Sequence, residues 1–111
     1  MIIALVGGED FTDEQMVREI CQFYIHDGDT VIEDGRSEAH RYASMYINEL
    51  KGEVVKFIQP KIGPMIARNR DLIDHYRPDM IICFGDCVET KHMKYLCSEN
   101  KITCIEVEDS V

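Results

Sequence analysis

Continuous apolar runs alternate with segments of helical period from one end of the chain to the other, and few folds accept that pattern. Ile2–Val6 is a run without polar interruption, the mark of a strand buried on both faces. Thr12 opens a helix with a Thr-x-x-Gln capping box closed by Gln15, and Met16, Val17, Ile20, Cys21 and Tyr24 share its apolar face. The turn His26-Asp27-Gly28-Asp29 leads to a short strand, Thr30–Glu33. A second helix, Ser37 to Leu50, repeats Ala39, Tyr42, Ala43, Tyr46, Ile47 and Leu50 at helical spacing and stops at Gly52. Glu53–Ile58 is a third strand, and Gln59–Gly63 a loop. Pro64 suits the first turn of a third helix, whose apolar face holds Leu72, Ile73 and Tyr76 and whose end precedes Pro78. Met80–Phe84 is a fourth buried strand, a fourth helix carries Met93, Leu96 and Cys97, and Ile102–Val107 is the fifth strand.

Strict β-α alternation of this kind requires parallel strands covered by helices and joined by right-handed crossovers. The expected architecture is a three-layer α/β Rossmann-like domain with a five-stranded parallel sheet, order 3-2-1-4-5, spanning residues 1–111 as one domain. In open sheets of this class, ligands sit beyond the carboxyl ends of the strands. The loops of interest are therefore Gly7–Phe11, Glu33–Ser37, Gln59–Arg68 and Gly85–Thr90.

Charge narrows the partners. Twelve basic against 21 acidic residues leave a net charge of −9, a field that repels nucleic-acid phosphates and acidic membrane surfaces. The longest clean apolar run, Met80 to Phe84, is far shorter than the roughly 20 residues of a membrane span. The opening MIIALVGGED has neither a basic region nor a long apolar one, so no export signal is expected. Five cysteines, an odd number, then read as reduced thiols of a cytoplasmic protein. The spacing Cys83-x3-Cys87-x4-His92-x4-Cys97 approaches a zinc knuckle. However, Cys83 belongs to a buried strand and Cys97 lies well down a helix, so the four do not converge and no metal is expected.

Two segments stand out chemically. Gly7-Gly8-Glu9-Asp10-Phe11 follows the first strand, where glycines let the backbone turn sharply and approach a ligand. Lys61 to Arg70 is the most basic stretch of an acidic chain. Within it Asn69 lies three and four residues before Leu72 and Ile73 and so faces the sheet with them, where a polar side chain needs a partner.

Four motifs together resemble the small single-domain proteins of the SLOG superfamily, Rossmann-like relatives of the LOG phosphoribohydrolases and of DprA, and among them the YspA-type branch. That branch opens with Gly-x-Arg-Asp-Phe-x-Asp, where this chain has Gly7-Gly8-Glu9-Asp10-Phe11-Thr12-Asp13. Its Gly-Gly-Ala-x-Gly-Ala-Asp stretch corresponds to Asp34-Gly35-Arg36-Ser37-Glu38-Ala39-His40, followed by Tyr42-Ala43. Its Gly-Pro and Arg-Asn pairs are matched by Gly63-Pro64 and Arg68-Asn69, and its Gly-Gly-x-Gly-Thr turn by Asp86-Cys87-Val88-Glu89-Thr90. The likeness runs from Met1 to Val107. The departures share a direction. Glu9 replaces Arg, and Asp34, Glu38, Asp86 and Glu89 stand at glycine positions. Each sets a carboxylate where the family holds an anion, opposing it by about 4 kcal/mol per pair at 4 Å near a surface. The catalytic Glu of LOG-type hydrolases falls at Met93.

The resemblance implies noncatalytic binding, sensing or sequestering, of a small nucleotide-derived or nucleoside-like ligand, without a cofactor. Its cleft would comprise Gly7, Gly8, Glu9, Asp10, Phe11, Gly35, Gly63, Pro64, Arg68, Asn69, Gly85, Asp86 and Thr90, with Asp10 accepting from ribose hydroxyls and Arg68 as the strong positive contact. An alternative is a hydrolase of nucleotide N-glycosidic bonds, with Glu38 or Glu89 as acid or base and Arg68 on the phosphate. A third is a degenerate domain kept for protein interaction. A homo-oligomer is compatible with all three.

Overall fold

Strand β1 (Ile2–Gly7) sits at the centre of the sheet. The computed structural model describes residues 1–7, 11–26, 28–33, 38–49, 56–58 and 64–108. On one side of β1 lies β2 (Thr30–Ile32), and on the other β4 (Met80–Phe84) and then β5 (Thr103–Val107), all parallel. A three-residue segment, β3 (Lys56–Ile58), is registered alongside β2 with Ile32 opposite Ile58. Gly7 lies opposite Phe84, and Phe84 opposite Val107, so these strands end on a common edge.

Among the described residues the sheet is covered by helices α1 (Glu14–Tyr24), α2 (Glu38–Glu49), α3 (Met65–Asp71) and α4 (Val88–Asn100). Successive strand side chains point to opposite faces, which sorts the core in two. Ile3, Leu5, Val31, Ile82 and Phe84 meet Val17 and Cys21 of α1 and Ala39, Ala43 and Ile47 of α2. Ala4, Val6, Ile32, Ile81 and Cys83 meet Leu72, Ile73, Met93, Leu96 and Cys97. Right-handed crossovers require this division, because the chain moves one way across the sheet after β1 and the other way into β4 and β5. No helix among the described residues is long and apolar enough to cross a membrane.

Local chemistry moved several boundaries. Asp13, not Thr12, caps α1, and its Oδ1 accepts from Met16 N–H at 3.0 Å. A carboxylate matches the positive end of a helix better than a hydroxyl does, so the helix starts one residue later. Gln15, expected to close a capping box, instead reaches forward to Glu19 Oε1. Pro64 stands just before α3 with ψ 146°, outside the first turn. Beyond Asp71 the helix widens into a π-helical turn, Leu72–Tyr76, and ends at Arg77, whose φ is 47°. The third strand begins at Lys56 and the fifth at Thr103; residues 53–55 lie outside those described.

Candidate functional site

The chain leaves β1 and β4 at glycines in the left-handed region, Gly7 with φ 78° and Gly85 with φ 83°. A crevice between these two strand ends is where an α/β sheet of this topology accepts a ligand. Here it is filled from within. A Cβ on Gly7 would stand 2.4 Å from Thr90 Cγ2 and 2.8 Å from the Phe84 carbonyl oxygen. Thr90 is fully buried. Its hydroxyl accepts from Cys87 N–H at 3.0 Å and faces the carbonyls of Cys87 and Gly85 at 3.0 and 3.2 Å, closing the turn that starts α4. Phe11 is also in the core, edge-on to Phe84 with ring centroids 5.4 Å apart. Thr90 and Phe11, expected in the cleft, hold its wall in place from behind.

A small cavity lies one strand over, between the ends of β1 and β2 and the helices α3 and α4. Its lining is Leu5, Val6, Ile32, Glu33, Arg68, Asn69, Leu72 and Glu89. Arg68 and Asn69 come from the second turn of α3, Glu89 from the first turn of α4, and Glu33 directly follows β2. Arg68 Nη2 stands 3.4 Å from Glu89 Oε1, their side chains 10% and 27% exposed. Asn69, 1% exposed, donates from Nδ2 to the Glu89 carbonyl oxygen at 3.2 Å and lies 3.1 Å from His92 Nδ1. An amide N–H can only donate, so His92 Nδ1 accepts, and the ring of neutral His92 carries its proton on Nε2. Glu33 is buried and its Oε1 accepts from Ser44 Oγ of α2 at 3.2 Å.

Helical period explains why these groups meet. Asn69, Leu72 and Ile73 share one face of the third helical segment, and burial draws the polar member in with the apolar two. Glu89 and His92 are three apart on α4 and meet that face from across the interface. The void among these side chains is about 10 Å³, at the lower limit for a single water. The Arg68–Glu89 pair and the Asn69 bridge therefore close the cavity on itself.

Of the remaining expected cleft residues, Pro64 is exposed before α3, and Gly85 and Asp86 lie in the turn after β4, with Asp86 exposed. Gly8, Glu9, Asp10, Gly35 and Gly63 lie outside the described residues, as does the Glu38 side chain. Met93 is fully buried against the sheet and sets no acid in the cavity.

Glu33 is the cavity's unexpected member, and Ser44 and His92 stand behind the lining as partners of Glu33 and Asn69. Glu33 was legible as an acid placed where an apolar strand ends at the carboxyl edge of the sheet. His92 was hidden because its spacing to the cysteines drew it toward a metal reading, and Ser44 reads as an ordinary helix residue. Of the spaced cysteines, Cys83 and Cys97 are buried together beside Cys104, whose Sγ is 3.6 Å from Cys83 Sγ, while Cys87 is exposed and apart from them. Among the described residues no group of three or more His, Cys, Asp or Glu side chains could hold a metal ion.

No protein-family model, curated protein or solved structure matches this chain.

Proposed function

We propose that the chain is a noncatalytic SLOG-like domain that binds a small nucleotide-derived or nucleoside-like ligand at the carboxyl edge of a five-stranded sheet ordered 3-2-1-4-5. The observation that carries this reading is the convergence of Arg68, Asn69, Glu33 and Glu89 on one cavity at that edge. Buried charge and amide groups are costly to maintain in a fold, and their clustering at the carboxyl edge of the sheet favours a recognition role there. Arg68 offers a guanidinium to an anionic group, and the carboxylates of Glu33 and Glu89 offer acceptors to hydroxyls such as those of a ribose. The register of Lys56–Ile58 beside β2 supports the five-stranded order. The core position of Met93 supports binding without catalysis, because no carboxylate stands where the resembling hydrolases place theirs.

The experiment is mass spectrometry of small molecules that copurify with the protein, followed by calorimetry with the identified compound and with the Arg68→Ala variant. A nucleoside- or nucleotide-derived compound is expected. Loss of one charge-assisted contact in Arg68→Ala weakens its binding by about 1.5–3 kcal/mol. Unchanged affinity in Arg68→Ala removes this cavity as the binding site. Release of free base or ribose from a panel of nucleotides would instead establish the hydrolase reading.

A further inference from the structure

At the opposite, amino edge of the sheet lies a second cavity, of about 470 Å³, lined by Ile73, Asp74, Arg77, Pro78, Asn100 and Ile102. Pro78 and Ile102 stand just ahead of β4 and β5, whose first residues, Met80 and Thr103, are partners in the sheet. Two helical ends converge here. The π-helical turn stops at Arg77 with φ 47°, and α4 stops at Lys101 with φ 56°. Each left-handed residue turns the chain back toward its strand, and the hollow lies between the two stops. Small-molecule sites hold roughly 300–1,000 Å³, so this cavity is of ligand size.

The lining is chemically divided. Ile73 and Pro78 are buried and Ile102 is half-buried, whereas Asp74, Arg77 and Asn100 are exposed, so an apolar floor carries a polar rim. Asp74 and Arg77 are three residues apart, yet among the described residues neither side chain makes an ion pair or hydrogen bond, with the other or with a third group. Asn100 donates its Nδ2 to the Leu96 carbonyl at 2.8 Å, which leaves Oδ1 as an acceptor. The Cys97 carbonyl takes the Lys101 and Ile102 N–H groups, while the last carbonyls of α4 carry the partial negative charge of a helix end. The rim thus presents one guanidinium beside a carboxylate, an amide oxygen and a negative helix terminus. A simple anion would meet Arg77 but also Asp74 and the helix end, and a simple cation would be opposed by Arg77. A ligand with both charges satisfies the whole rim.

From this lining we infer that the cavity binds a free α-amino acid with an apolar side chain. Its carboxylate sits on Arg77, where a guanidinium can make two parallel N–H···O bonds. Its ammonium sits on Asp74 and Asn100 Oδ1, and its side chain covers Ile73, Pro78 and Ile102. An α-amino acid holds its two charges on one carbon, which suits two charged side chains presented from one turn. The site lies on the other edge of the sheet from the Arg68 cavity and does not rest on the binding reading above.

The test is titration of 15N-labelled protein with L-leucine and L-phenylalanine, and with the amide and N-acetyl derivative of each, read by amide shifts and calorimetry. The amides lack the carboxylate and the N-acetyl derivatives lack the ammonium. At least one of the two free amino acids is expected to give saturable shifts at Arg77, Asn100, Lys101 and Ile102. Each of its derivatives should bind at least roughly tenfold more weakly, because one charge-assisted contact is gone. Arg77→Gln should weaken the free amino acid by a similar factor without weakening its amide further. Asp74→Asn should do the same without weakening the N-acetyl derivative further. Lys91→Gln removes one exposed cation near the other end of α4 and should match wild type. Far-UV dichroism establishes that each variant is folded. The inference is overturned if neither free amino acid gives saturable shifts at these amides, or if either derivative binds as tightly as its parent. It also fails if Arg77→Gln or Asp74→Asn leaves the affinity unchanged, or if Lys91→Gln lowers it as much. A nucleotide that shifts the amides around Arg68 while both amino acids shift none would overturn this site and leave the binding reading standing.

Discussion

Replacing Gly7 by alanine tests how closely β1 is packed beneath the start of α4. Two separate costs are expected. At φ 78° an L side chain is strained, which costs about 1–2 kcal/mol. The added Cβ would also lie 2.4 Å from Thr90 Cγ2 and 2.8 Å from the Phe84 carbonyl oxygen. Neither atom is the end of a flexible side chain, so relieving the overlap means shifting both the start of α4 and the end of β4, at about 1–3 kcal/mol for overpacking of this kind. The sum, about 2–5 kcal/mol, is a large share of the roughly 5–15 kcal/mol that a domain of this kind has in total. Gly85→Ala provides the control. Its φ is 83°, but nothing lies within 4 Å of the new Cβ, so it should show the strain alone. Thr90→Ser removes the obstructing methyl and keeps the hydroxyl bonded to Cys87 N–H. In that background Gly7→Ala should cost about 1 kcal/mol less than in wild type, a coupling that a double-mutant cycle reads directly. Urea titrations followed by far-UV dichroism supply the free energies, provided the m-values agree. Equal costs for Gly7→Ala and Gly85→Ala, or no relief from Thr90→Ser, would refute the packing argument. Because Glu89 adjoins Thr90, a displaced α4 should also disturb the Arg68–Glu89 contact.

Four further outcomes are expected. Asn69→Ala removes the amide joining Glu89 to His92 and should cost about 1–3 kcal/mol in urea midpoint analysis, while an unchanged midpoint would mean the bridge does not stabilise the fold. The 15N spectrum of neutral His92 should carry the Nε2–H signature in wild type, and a predominant Nδ1–H form would contradict the bridge. Burial pushes the Cys21 and Cys97 thiols up to about 12 and, joined by the neighbouring Cys104 thiol, raises Cys83 as well. The folded state thus holds these protons more tightly than the unfolded chain. Their stabilisation is intact below the ordinary thiol value of 9.0 and is lost as pH rises from there toward 12. The slope is at most about 1.4 kcal/mol per pH unit for each thiol, so the loss between pH 8 and 10.5 should shrink in Cys21→Ala, and an identical loss in that variant would contradict it. At neutral pH a thiol reagent should first label exposed Cys87 alone, and rapid labelling of Cys21 or Cys83 would show the core to be open.

Much of the architecture was legible because burial on both faces of a parallel strand leaves no polar positions. The runs Ile2–Val6 and Met80–Phe84 could be little else, and the strands observed there differ by a residue at most. The inward turn of Asn69 was legible for the same reason, since its spacing to Leu72 and Ile73 is fixed by helical period. Ends were less legible. Thr12 and Asp13 are both acceptable caps, and the choice depended on which oxygen reached Met16 N–H.

The cavity itself was decided by tertiary structure. Of its polar lining, Arg68 and Asn69 stand about twenty residues from Glu89, and Glu33 comes from a different part of the chain. Local spacing constrains which side of its own helix or strand each residue occupies. It does not constrain which neighbouring face that side will meet, because this depends on how two helices settle against a twisted sheet. The sequence by itself determined that an arginine and an asparagine would lie near the carboxyl edge of the sheet. Only the packed structure decided that Thr90 would fill the crevice between β1 and β4, and that Glu89 would come to rest on Arg68. Packing density explains the first, since an interior leaves no methyl-sized gap beside Gly7. Electrostatics explains the second, since a guanidinium drawn into a nearly closed cavity takes the nearest carboxylate as its partner.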